Sequence, residues 1–310
     1  MDFSSLTPLP GGWSGATFLA EAGGERSVVR IYAAVSERGP VAHEVDAALL
    51  HLVRGLVPVP EVLEVVPADI ARERPALLVT SYVEGARADV LLPTLDEAGR
   101  RSLGATLGGL VADLGGMPQL RWGPFLDATL RLGSFGDLDG QPAWVQAQEP
   151  RLVHLSSDEL DGLRQVALDA QTLLDTVTRV CLVHSDLNPK NLLVDPETLA
   201  VTALVDWEFA HAGHPYTDLG NLLRFERDPD FTQAVLDAYA ARRAVSSADA
   251  LALARAADLW ALVELAGRRH DNPVAARADR LLRAIAWTRD ATTPGPDPGS
   301  THGTIAGGRR

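Results

Sequence analysis

Cys181–Asp206 reads CLVHSDLNPKNLLVDPETLAVTALVD, a pattern of strand, polar loop, strand, turn and strand. Leu182-Val183 enter the loop, His184 to Asn191 form it, and Leu192-Leu193-Val194 leave it. Asp195-Pro196-Glu197-Thr198 has turn composition, and Val201 to Val205 is a short apolar run ending at Asp206. Asp186 and Asn191 therefore face each other across one loop, and Asp206 arrives at the end of the following hairpin strand. Two carboxylates and an amide oxygen are hard donors, which suits Mg²⁺ with its preference for oxygen ligands and substrate phosphates. A β-hairpin with a polar, well-capped loop is the alternative that carries no chemistry.

The spacing His184-x-Asp186-x-x-x-x-Asn191, followed by Asp206-Trp207-Glu208, resembles the catalytic loop and metal-binding aspartate of the protein-kinase-like fold. Within that fold it is similar to the aminoglycoside phosphotransferase and choline kinase branch, which shows H-G-D-x-x-x-x-N and then I-D-W/F-E. Ser185 stands in place of the usual glycine, and Lys190 directly precedes Asn191. Neither change removes a catalytic group, and Ser185 is expected to need less unusual backbone angles than glycine.

Upstream residues fit the same frame. Leu9-Pro10-Gly11-Gly12-Trp13-Ser14-Gly15 is a glycine-rich turn, followed by strand-like Ala16 to Ala20, a Gly23-Gly24 hairpin turn and a β-branched run from Ser27 to Tyr32. Gly12 and Gly15 would let backbone N–H groups approach phosphate oxygens, with the Ser14 hydroxyl as a further donor. The loop is neither G-x-G-x-x-G nor a Walker A motif, so an ordinary hairpin reads equally well from the residues alone. The resemblance gives Arg30, 15 residues after Gly15, the place of the strand cation that grips phosphates. Glu44, 14 residues further on in a helix expected over 40–54, takes the place of its acidic partner. An apolar strand from Pro75 leads to the expected hinge at Ser81, Tyr82 and Val83, whose backbone would hydrogen-bond adenine. Helices are expected over 96–114, over 158–177 with Ser157 as cap, from Thr217 through Leu223, and over 231–242, 247–269 and 272–288. The stretch 118–150, rich in Gly, Pro, Trp and Asp, reads as irregular.

Only 11 residues separate Asp206 from Asp218. That leaves no room for a protein-kinase activation segment, and Ser185 stands where a protein kinase regulated through that segment carries an arginine. Both features favour a small-molecule kinase, and no protein substrate is expected. His211-x-x-His214 has zinc-like spacing but no nearby third ligand, and reads as two loop histidines.

Composition sets the outer limits. The chain has 310 residues, 46% of them apolar, which suffices for a sizeable core. Its net charge of -13 would repel nucleic acid and anionic membranes, and allows a cationic substrate. Cys181 is the single cysteine, so no internal disulfide supports the fold. Leu251 to Ala266, the most apolar long stretch, is interrupted by Arg255, Asp258 and Glu264 and does not suit a bilayer. With no secretory pattern after Met1, a cytoplasmic location is expected.

The resemblance covers roughly residues 9 to 290, with its motifs in Gly11–Glu44 and His184–Asn221. It implies an α+β, bilobal protein-kinase-like fold: a small β-rich N-lobe over 1–82, a larger, mainly helical C-lobe over 83–290, and a disordered tail over 291–310. It also implies ATP and Mg²⁺ as cofactors, Asp186 as the catalytic base, Asn191 and Asp206 as metal ligands, and Asp218 as a brace for the loop. The acceptor would be a small-molecule hydroxyl on a cationic antibiotic. A metabolite such as choline, an amino alcohol or a sugar is the alternative, and a catalytically silent nucleotide-binding module is a third.

Overall fold

The computed structural model describes residues 5–9, 15–33, 38–136 and 139–294. Gly12 and Ser14 of the expected phosphate loop lie outside them, as does the expected disordered tail beyond residue 294. The chain divides into two compact units, Met1–Gly136 with Arg179–Ala250, and Asp137–Thr178 with Leu251–Arg310.

In the first unit, β1 (Ser5–Pro8), β2 (Gly15–Ala22) and β3 (Glu25–Tyr32) precede helix α1 (Ala42–Val53), β4 (Val62–Val66) and β5 (Ala76–Ser81). Among the described residues these strands form one antiparallel sheet in the order β1-β2-β3-β5-β4. The β2–β3 hairpin turns through Gly23 and Gly24 at φ of 59° and 85°. Two positive φ values define the tight turn whose twist suits paired strands, and glycine reaches them without steric penalty. Val29 on β3 and the adjacent Leu78 and Val79 on β5 are buried, so β5 is covered on both faces, and α1 packs on β4 and β5.

The linker after β5 contributes β6 (Ala86–Arg87) and a short helix α2 (Ala88–Leu91). Helix α3 (Glu97–Leu114) starts from Asp96, whose carboxylate accepts the Gly99 N–H. Its expected apolar stripe, Leu103, Leu107, Leu110 and Val111, is buried. The short strands β7 (Pro118–Gln119) and β8 (Gly123–Pro124) follow.

The second unit begins with α4 (Gly140–Gln148) and α5 (Ser157–Leu174). Helix α4 corrects the irregular reading of 118–150: Pro142 sits in the first turn, where its missing N–H has no intrahelical partner to lose. Ser156, not Ser157, caps α5, through a reciprocal box in which Glu159 bonds back to the Ser156 N–H.

Returning to the first unit, β9 (Val180–Val183), β10 (Leu192–Val194), β11 (Val201–Leu204) and β12 (His211–Gly213) carry the quoted stretch. Helices α6 (Thr217–Leu223) and α7 (Pro229–Arg243) complete it. Helix α8 (Ser247–Gly267) starts in the first unit and continues into the second, which ends with α9 (Pro273–Thr288). Helices α3 and α7 pack closely because Gly104 and Gly108 present no side chain to the backbone of Phe231 and Val235. No described helix is long and apolar enough to cross a membrane.

Candidate active site

The loop between β9 and β10 is held from behind by α6. Asp218 is 2% exposed and accepts the N–H groups of His184 at 2.9 Å and Ser185 at 2.8 Å. Asn221, one turn on, donates from Nδ2 to the Ser185 carbonyl at 2.9 Å. Burial pushes the Asp218 carboxyl up to about 6, against the lowering effect of the two N–H bonds. His184 pins the other side. Burial lowers its pKa and favours the neutral ring, whose Nδ1 accepts the Asp186 N–H at 3.2 Å. The network then assigns the proton to Nε2, which donates to the Val205 carbonyl at 3.0 Å. The ring also meets the edge of buried Trp207 at 4.7 Å between centroids.

Ser185 corrects one expectation. Its φ is 65°, the left-handed conformation that glycine would favour. The residue is not in easier geometry than the usual glycine; Asp218 and Asn221 hold its N–H and C=O in that conformation. Asp206 is likewise left-handed, at φ 68° and ψ 60°. The chain thus turns sharply just before Asp186 and at Asp206.

Asp186 is heavily bonded. Asn188 Nδ2 donates to its Oδ1 at 2.7 Å, Asn191 Nδ2 to its Oδ2 at 2.8 Å, and Lys190 Nζ stands 3.2 Å from Oδ2. Because Asn191 spends its nitrogen on Asp186, its Oδ1 is the group left to face a cation. Val205 N–H bonds to the Asn191 carbonyl at 2.9 Å and ties β11 to the loop, so Asp206 follows directly beside Asn191. The donor set is a carboxylate and an amide oxygen with Asp186 adjacent. That chemistry fits Mg²⁺, which takes few protein ligands and completes its shell with phosphates and water. Among the described residues no group of three His, Cys, Asp or Glu side chains is placed to hold a metal ion.

Arg30, on β3, reaches this hairpin. Its NH1 lies 3.0 Å from Asp206 Oδ1, and its NH2 is ion-paired to Glu208 Oε2. Burial raises the Glu208 pKa, with Asp206 adding to the effect and Arg30 opposing it. The expected partner Glu44 is not on Arg30: its carboxylate is 3.8 Å from His43 Nε2 on the same helix. The buried face of α1 includes Ala42, Val45, Asp46, Leu49 and Val53. At about 100° per residue Glu44 falls opposite the centre of that face, and Asp46 falls near it. Asp46 accepts a 2.7 Å hydrogen bond from Tyr32 and forms an ion pair with Arg38. The sequence reading missed Asp46, although its place beside Val45 and Leu49 on the helical wheel carried the signal. Glu208 was legible only as the last residue of the Asp206-Trp207-Glu208 motif.

Gly15 opens β2 opposite Tyr32. Ser81 ends β5 and accepts the Glu61 N–H through its hydroxyl at 2.9 Å. Tyr82 carries the Arg26 guanidinium 4.3 Å over its ring, and Val83 is half-buried. Beyond them, β6 pairs with β10 through Arg87 and Leu193, so the expected hinge is anchored to the catalytic hairpin. At Gly85 a Cβ would stand 2.6 Å from Thr202 Oγ1, which explains a glycine at this crossing. His211 and His214 go separate ways: His211 Nδ1 bonds the Phe209 carbonyl at 2.9 Å, while His214 stacks between Trp122 and Tyr216.

An antiparallel sheet, a strand-forming linker and a braced loop presenting Asp186, Asn191 and Asp206 define a kinase-like phosphotransferase. The comparisons agree. The chain belongs to the phosphotransferase enzyme family (APH), whose family model matches residues 5–259. Among solved structures it is similar to a Ralstonia eutropha JMP134 protein assigned as an aminoglycoside phosphotransferase, at 19% identity and TM-score 0.64 over 92% of this chain and 91% of that one. It is also similar to a variant of aminoglycoside 2′-phosphotransferase IIIa in complex with GDP, at 19% identity and TM-score 0.65 over 91% of each chain. A third is a thermostable aminoglycoside phosphotransferase APH(4)-Ia with ADP and hygromycin B, at 18% identity and TM-score 0.59 over 93% of this chain and 92% of that one. A curated relative, mouse acyl-CoA dehydrogenase family member 11, is 32% identical over 112 residues, covering 34% of this chain. That match spans 14% of the mouse protein.

Proposed function

We propose that this protein transfers the γ-phosphate of ATP to a hydroxyl of a small molecule. The observation that carries the reading is the braced loop: Asp218 and His184 fix Asp186, with Asn191 and Asp206 alongside. The acceptor O–H bond breaks and its proton passes to Asp186; an O–P bond forms, and the bond from the γ-phosphorus to the bridging oxygen breaks, releasing ADP. Asn191 and Asp206 would hold Mg²⁺, which when bound neutralises charge on the phosphates. Arg30 would grip phosphate oxygens, with the Gly12–Gly15 turn and the Ser81–Val83 hinge completing the nucleotide site. In this reading residues 1–82 serve the nucleotide and 83–290 catalysis and acceptor binding.

For the acceptor we favour a cationic antibiotic, an aminoglycoside or basic cyclic peptide, inactivated by modification. The net charge of -13 and the hygromycin B in a structural neighbour support it. A metabolite hydroxyl is the second reading, favoured by the surface beside β9. Phe135 and Phe209 are 54% and 55% exposed, and Phe135 packs edge-on to His211, which pairs with Val183. Apolar surface of this kind, with Lys190 near Asp186, suits a less highly charged acceptor.

The test is ADP release with Mg·ATP across aminoglycosides, basic cyclic peptides, macrolides, choline and sugars. Asp186→Ala is expected to lower turnover by about 10²–10⁴-fold with nucleotide affinity retained. Loss of affinity equal to the loss of rate would remove Asp186 from the role of base. Nucleotide binding without turnover on any acceptor would point to an untested metabolite or a silent nucleotide-binding module.

A further inference from the structure

We propose that Lys190 is a catalytic residue, one that leaves Asp186 to contact the transferred phosphoryl group when nucleotide binds. The inference rests on the phosphotransfer reading above and adds a residue to it.

The argument begins with the lone pairs of Asp186. A base that takes a hydroxyl proton needs an open acceptor position, and on Asp186 Oδ2 both lone-pair sites are taken, one by Asn191 and one by Lys190, while Asn188 takes one of the two on Oδ1. Two of those donors are built into the loop. Asn188 and Asn191 each bond the Asp186 backbone carbonyl as well, at 3.2 and 2.9 Å, so neither amide can swing away without undoing the turn. Lys190 has no such second anchor among the described contacts. Its side chain is 42% exposed, and an ion pair this open to water is held weakly. It is the partner that can be exchanged.

Geometry then supplies its destination. A hydroxyl oxygen within about 2.6–3.2 Å of Asp186 Oδ2, with phosphorus about 3–3.5 Å beyond, puts the phosphoryl oxygens within the sweep of a four-carbon ammonium stem rooted at residue 190. A multiply charged phosphate outcompetes a single carboxylate for that ammonium. Arg30 shows the same arrangement at the other side of the site, its guanidinium resting on Asp206 and Glu208. Lys190 would thus cover Asp186 Oδ2 without nucleotide and free that oxygen once a γ-phosphate arrives.

The measurement is calorimetric binding of Mg·ADP and Mg·AMP-PNP to the full chain and to Lys190→Met, Lys190→Arg, Asp186→Asn and the Asp186→Asn/Lys190→Met pair. The readout is the ratio of the two dissociation constants, which isolates the γ-phosphate. Lys190→Met is expected to weaken AMP-PNP about tenfold relative to ADP, Lys190→Arg to keep the ratio within about threefold, and the Met change to lower the ratio in the Asp186→Asn background too. The last arm separates contact with phosphate from mere shielding of Asp186. A ratio unmoved by Lys190→Met, or moved only while Asp186 is charged, overturns the proposal and leaves the phosphotransfer reading standing. If the wild-type chain binds neither nucleotide, both fall together.

Discussion

Asp218 shows what a single residue contributes when it is placed for geometry rather than stability. Its carboxylate is buried behind the catalytic loop and spends both oxygens on backbone N–H groups. The folded pKa, about 6, lies above the unfolded value of about 3.9. The protonated acid is therefore favoured by folding. Its contribution to stability is full below about pH 4 and is lost as pH rises through 6, by on the order of 2–3 kcal/mol. Denaturant unfolding of the wild type against Asp218→Asn should show the difference between them shifting against the wild type over that window. A difference that stays flat from pH 4 to 7 would mean the acid does not titrate there. At neutral pH the protein carries this burden because an amide at 218 would turn an N–H toward the loop's own donors. Residue type and spacing marked Asp186, Asn191 and Asp206 as a cluster of oxygen donors, and the family resemblance supplied their expected roles and that of Asp218 as a brace. Spacing could not give the φ of 65° at Ser185, because that angle is set by Asp218 and Asn221, residues 33 and 36 positions away.

Among elements, those with a sustained apolar period were readable even where Gly or Pro punctuated them, and α4, which lacks such a period, was not. Helix α3 was found from Leu103, Leu107, Leu110 and Val111 despite several glycines, which lower intrinsic helicity by roughly 1 kcal/mol each. The structure gives two of those glycines a purpose. At Gly104 and Gly108 a Cβ would stand 2.8 Å from the Phe231 carbonyl oxygen and 2.2 Å from that of Val235. The second approach is against backbone, so no rotamer change relieves it. Gly108→Ala should therefore destabilise by about 1–3 kcal/mol despite alanine's better propensity, through displacement of α7. A midpoint of urea unfolding equal to or above the wild type would refute close helix contact there. Helix α1 teaches the complementary lesson: its existence was legible, but Glu44 was placed by counting along the chain, whereas around the helix it falls opposite the buried face.

For the whole molecule, the sequence divides into consecutive segments, whereas the compact units are each built from segments far apart in the chain. Periodicity shows that a helix has a buried face, not which partner covers it; the lobe boundary expected at 82/83 falls inside the first unit. Within that unit Arg30 joins the five-strand sheet to the hairpin of the quoted stretch by way of Asp206 and Glu208. Glu208 has a side chain only 4% exposed, and its charge is supported by the Arg30 guanidinium in contact and by the charge of Arg38. Removing one partner of a buried pair typically costs about 3–5 kcal/mol, mostly as the desolvation of what stays behind. Arg30→Met should thus lower unfolding stability by about 2–4 kcal/mol at pH 7, since Arg30 and Asp206 retain some solvent. The loss should shrink as pH falls, because the Glu208 pKa is already raised and protonation relieves the uncompensated charge. Repeating the comparison in a Glu208→Gln background separates charge from packing. If Arg30→Met is equally costly with and without that second change, the guanidinium acts through its methylene stem, and the ion pair is not what couples the sheet to the catalytic hairpin.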